Sequence, residues 1–118
     1  MESSKKHTAG SIKVSEDVIV KIAETAACEI EGAFIGSRRQ DIPAALSKLK
    51  APVRVRILGE AAAIRLDISV AAGCNAVSVA ESVQRSVKSA VQNMTGFTVT
   101  KVDVNVMGVD FRENAAEN

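Results

Sequence analysis

Two cysteines, Cys28 and Cys74, and a single histidine, His7, are the residue types here that invite covalent or metal chemistry. A nucleophilic thiol needs a base beside it. The one imidazole lies in a polar N-terminal stretch far from both thiols, so no Cys-His arrangement is visible. A zinc site needs three or four nitrogen or sulfur ligands at workable spacing, which this set does not supply. Cys28 reads as a small core residue. Cys74 precedes a helix start whose dipole favours a thiolate, and is the better candidate for reactivity. The glycines match neither a Walker nor a dinucleotide pattern and read as turn and cap positions. Arg38 and Arg39 form a small basic spot in a loop. No metal, cofactor or enzymatic activity is expected.

The remaining chemistry is charge carried on strands. Val53, Val55 and Ile57 alternate with Arg54 and Arg56, and Ile64, Leu66, Ile68 and Val70 alternate with Arg65, Asp67 and Ser69. Val102, Val104 and Val106 alternate in the same way with Lys101, Asp103 and Asn105. Such alternation puts one set in a core and the other in water. Arg54, Arg56, Arg65, Asp67, Lys101 and Asp103 are therefore the candidate interaction surface. Exposed ion pairs contribute roughly 0.2–1 kcal/mol each, so stability gives little reason for the set, although a solvated sheet face needs no special reason.

The elements that position these residues can be read from caps and periodicity. Ser15, with Glu16 and Asp17 behind it and Val14 and Ile19 as a staple, starts a helix. Its apolar positions are Ile19, Ile22, Ala23, Ala26, Ala27 and Ile30, and it ends near Glu31 before Gly32. Pro43 opens a candidate short helix over Ile42 to Lys50. The alternating runs form an antiparallel hairpin. A second long helix, capped by Asn75 or Ser78, carries Ala80, Val83, Val87, Ala90, Val91 and Met94 and ends at Gly96. In the last strand the parity flips near Gly108, so that Met107, Val109 and Phe111 become the apolar set, as a bulge or bend produces. Val109 and Phe111 are candidate oligomer contacts. Ile12 to Val14 is a candidate extra strand against Val109 to Phe111.

The fold class is α+β: two layers, a three-stranded mixed sheet with two main helices on one face. A strand, helix, strand succession makes the last strand parallel to a hairpin strand. Residues 1–10 and 112–118 read as disordered tails around a domain over 11–111.

Composition narrows the function classes. The 118 residues carry 15 Lys plus Arg against 14 Asp plus Glu, so overall charge recruits neither nucleic acid nor acidic lipid. Three Phe with no Trp or Tyr leave few faces for stacking bases. Neither a secretory leader nor an apolar run of membrane-span length is visible, so a cytoplasmic protein with reduced thiols is expected, reaching a membrane only through a partner.

The stretch Gly10 to Ser15 (GSIKVS), the Glu31-Gly32 pair, Val83 to Val87 (VQRSV), Asn93 to Phe97 (NMTGF) and Val102 to Val109 (VDVNVMGV) together resemble the alkaline shock protein family, the Gls-type general stress proteins of Gram-positive bacteria. The resemblance covers about Gly10 to Phe111. It departs at Ala72, where many relatives carry an aromatic, and at Ala76 and Val77, where they carry Ile-Pro. It implies a cytosolic protein of cell-envelope or general stress homeostasis without known catalysis. It also implies self-association into a homo-oligomer and tethering by a small membrane-protein partner. Other members are linked to regulation of lipid metabolism. The competing reading is a KH-like RNA- or ribosome-associated module, but no GXXG loop or glycine-kinked helix is present between Ala76 and Met94 to clamp phosphates.

Overall fold

The computed structural model describes residues 10–36 and 51–111. The polar tails, His7, the Arg38-Arg39 spot and the candidate helix over Ile42 to Lys50 lie outside the described residues. Helix α1 spans Glu16–Cys28. Ser15 caps it from extended backbone, its side chain accepting from the Val18 N–H at 3.4 Å. Ile19, Ala23, Ala26 and Ala27 are its buried residues. The three alanines leave room for a second helix to approach, and the Ser86 hydroxyl donates to the Ala26 carbonyl (3.1 Å) across that contact. Helix α2 spans Ala76–Thr95 and buries Val79, Val83, Val87 and Val91, one residue per turn. Of its two candidate caps Asn75 is the one used, accepting from the Ser78 N–H at 2.9 Å. Gly96 closes it in the left-handed region at φ 80°, where a side chain would be strained.

Among the described residues four strands make one mixed sheet: β1 (Ala33–Ile35), β2 (Val53–Leu58), β3 (Ala61–Ala71) and β4 (Thr98–Asp110). β3 is central, antiparallel to β1 and β2 and parallel to β4, with α2 forming the long crossover that parallel pairing requires. Ala62, Ile64, Leu66, Ile68 and Val70 of β3 are each at most 1% exposed and join the buried residues of both helices in one core. Each buried branched side chain there contributes about 1.5–3 kcal/mol.

One edge of β3 is shared by two strands. β2 pairs with Ala61 to Leu66 and β1 with Ile68 to Val70, and the intervening rung is Asp67. The Gly36 N–H donates to the Asp67 carbonyl (2.7 Å) and the Asp67 N–H donates to the Pro52 carbonyl (2.8 Å). Gly36 and Pro52 therefore meet the edge on a single rung. The sheet is three strands wide throughout, as the alternation predicts, although four segments build it.

Several expectations are corrected. The additional strand is Ala33–Ile35; Ile12 to Val14 forms no strand and lies by Ile57, Gly59, Glu60, Gly96 and Phe97. That is the hairpin end of β3, whereas Val109 pairs with Val70 near the other end, so the two segments cannot pair. Cys28 is exposed because it follows Lys21 and Glu24 at helical spacing, off the buried stripe of Ile19, Ala23, Ala26 and Ala27. Met94 is 70% exposed and Val79 is buried in the stripe instead, since α2 presents a side that repeats every fourth residue. The parity flip is a bulge as expected: Ile68 faces Val106 and Ser69 faces Gly108, leaving Met107 as the extra residue.

Candidate interaction surface

The sheet face turned away from both helices divides into two parts. Towards the far end of β3 it is closed by its own polar groups. Asp67 and Ser69 are each 5% exposed and Asp110 is 7% exposed. Asp67 accepts from the Arg54 guanidinium (3.3 Å) and from the Asn105 amide (3.4 Å), and the Ser69 hydroxyl donates to the Gly36 carbonyl (2.8 Å) with Phe34 opposite on the neighbouring strand. Asp67, expected on the open surface, is instead a buried anchor. Alternation places a side chain on a face but does not say whether its neighbours will cover it, and two donors from flanking strands cover this one.

Towards the hairpin end the face is open. Arg54, Arg56, Ala63, Arg65, Lys101 and Asp103 surround a shallow depression of ≈ 550 Å³. The register explains the convergence: Arg54 lies opposite Arg65, which lies opposite Asp103, and on the next rung Arg56 lies opposite Ala63, which lies opposite Lys101. Five of the six charged residues expected to form a surface are thus brought together, with Ala63 as the small residue at the middle of the second rung.

The charges are unevenly compensated. Arg54 is held by Asp67, and Lys101 lies 3.6 Å from Asp103 with both side chains more than half exposed. Among the described residues neither Arg56 nor Arg65 has an ion-pair or hydrogen-bond partner. Arg54 and Arg65 also stand directly opposite each other, an unfavourable like-charge pairing on a sheet. Sequence reasoning finds the charges but not Ala63, which closes the run Ala61-Ala62-Ala63 and carries no signal of its own there.

Val109 and Phe111, the candidate oligomer contacts, are 50% and 80% exposed. A second depression, ≈ 610 Å³, lies between Ile12 to Val14, the Gly59-Glu60 turn and the Thr95 to Phe97 corner, and holds no cluster of titratable groups. Among the described residues no three His, Cys, Asp or Glu are grouped to hold a metal, and no helix is long and apolar enough to cross a membrane. Cys28 and Cys74 are exposed free thiols.

The alkaline shock protein 23 family, described as having a cell envelope-related function, matches residues 4–111. The chain is similar to a Bacillus subtilis (strain 168) protein named "Uncharacterized protein YqhY", 25% identical over 112 residues that cover 92% of this chain and 83% of that protein. No solved structure matches.

Proposed function

Since the chain belongs to the alkaline shock protein 23 family, whose function is cell envelope-related, we propose that it is a non-enzymatic, cytoplasmic binding protein of envelope homeostasis. In this reading it self-associates and is tethered to a membrane-associated protein partner. The observation that carries the reading is the open, cationic half of the sheet face, where charges are gathered and, among the described residues, no cysteine, histidine or metal-holding cluster lies beside them. Such a face is suited to holding a partner and not to bond making. The exposed Val109 and Phe111 support self-association.

The RNA reading gains the cationic depression but lacks a clamp: α2 contains no glycine, and no aromatic side chain lines the depression. Affinity capture from lysate containing envelope membranes tests both. Wild type is expected to retain an envelope membrane protein after nuclease treatment, and a variant with Arg54, Arg56 and Arg65 changed to Glu is expected to lose it. Capture of RNA that disappears with nuclease would instead favour the KH-like reading. Light scattering is expected to show mass rising with concentration, and a monomer across a wide range would remove the self-association.

A further inference from the structure

We propose that the Ala63 depression is a carboxylate-recognition site, seating an aspartate or glutamate of an extended acidic segment of a partner protein on Arg56 and Arg65. This rests on the protein-binding reading above and specifies the chemistry of the partner.

The division of labour among the cations carries the proposal. Arg54 and Lys101 each have a carboxylate already, Asp67 at 3.3 Å and Asp103 at 3.6 Å. Arg56 and Arg65 have none among the described residues. Diagonal neighbours across a β pair lie about 7–8 Å apart, within reach of long side chains, and Arg56 and Arg65 are diagonal through the Ala63 rung. The small methyl of Ala63 leaves space between Arg56, Arg65 and Lys101 for an incoming group. A guanidinium presents a planar fork of donors matched to a carboxylate, so two of them converging on one space define the ligand class. An anion seated there also relieves the repulsion between Arg54 and Arg65.

A peptide fits better than a nucleic acid. Asp103 stands at the rim and Asp67 beside Arg54, so the cationic track is interrupted on two sides, which disfavours a continuous phosphate backbone. An extended peptide repeats its side-chain direction about every 7 Å, the same spacing as Arg54 to Arg56 along β2, so acidic residues at alternate positions can serve neighbouring cations.

The test is an NMR titration of the full 118-residue chain at low salt with two capped pentapeptides, TETET and TQTQT. With the glutamate peptide, the amide signals of Arg56, Ala63 and Arg65 are expected to shift saturably, and the glutamine twin is expected to bind at least tenfold more weakly. The double variant R56Q/R65Q is expected to lose at least tenfold. Ala63→Leu, which fills the space and keeps every charge, is expected to lose several-fold. Asp103→Asn releases Lys101 and is expected to tighten binding at least twofold, a gain that misfolding cannot produce. Equal affinity for both peptides, or unchanged affinity in Ala63→Leu, would overturn the site. So would an oligothymidylate that binds more tightly than TETET and is indifferent to Ala63→Leu, since that describes a general polyanion surface. Capture of the same envelope protein by wild type and R56Q/R65Q would leave the protein-binding reading standing and remove this one, whereas capture of nothing by wild type removes the broader reading.

Discussion

Asp67 ties three strands together through one side chain and one peptide unit. Its carboxylate accepts from Arg54 on β2 and Asn105 on β4, while its backbone closes the rung shared by Gly36 and Pro52. Removing the carboxylate leaves the Asn105 amide without that acceptor, so Asp67→Ala is expected to lower stability by about 1–3 kcal/mol. The lower half of that range is favoured because Arg54 is 41% exposed and water replaces part of its interaction. Asp67→Asn keeps an acceptor and should cost less; urea midpoints of the two variants measure the order. Gly32 is the second position where one residue decides local geometry. Its φ is +91°, and a methyl group there would stand 2.9 Å from the Cys74 sulfur. Gly32→Ala is expected to cost about 1–2 kcal/mol through the left-handed backbone alone. Adding Cys74→Ala should relieve the contact and leave that backbone cost in the thermal midpoint.

At the scale of elements, β4 is a long strand with one side unpaired by any other strand among the described residues. Two glutamines of α2 cover its beginning: the Gln84 amide donates to the Val102 carbonyl (2.9 Å), and the Val99 N–H donates to the Gln92 side-chain oxygen (3.0 Å). The bulges at Thr100 and Met107 twist the same strand, which makes a flat edge-to-edge match harder. Replacing both glutamines by alanine should remove about 0.5–1.5 kcal/mol per bond and lengthen the bare edge. Faster growth of scattered light at equal protein concentration is the expected result. The elements visible in the sequence are those with a periodic apolar side and a chemical terminator: α1 behind Ser15, α2 between Asn75 and Gly96, and the hairpin around Gly59. β1 escapes notice because three residues are too few to display a period, and its partner Ile68 to Val70 is remote in sequence. The positions of the surface charges follow from alternation, but the sorting of Asp67 from Asp103 does not. It depends on which donors the neighbouring strands bring to each rung, and that is a matter of register.

For the whole molecule, a net charge of +1 conceals a separation. Glu16, Asp17, Glu24, Glu29 and Glu31 outnumber Lys21 on and just after α1, while Arg54, Arg56, Arg65 and Lys101 outnumber Asp103 around the depression on the sheet face turned away from the helices. Averaged composition argues against an electrostatic partner, whereas the open half of the sheet face gathers four cations locally, which is the basis of the proposed site. Raising salt to about 0.5 M shortens the screening length to roughly half its physiological value. Binding at the open face should then weaken several-fold while the thermal midpoint moves little, because the core is apolar. Leu66→Ala reports that core directly and is expected to cost about 2–5 kcal/mol in chemical denaturation. The edge shared by β1 and β2 has an architectural meaning as well. Gly36 and Pro52 both bond to the backbone of the single residue Asp67, so the hydrogen bonding of that edge is unbroken where β1 gives way to β2. Asp67 is thereby the splice at which two short strands act as one edge, and the register of β1 is tied to that of β2 through one residue.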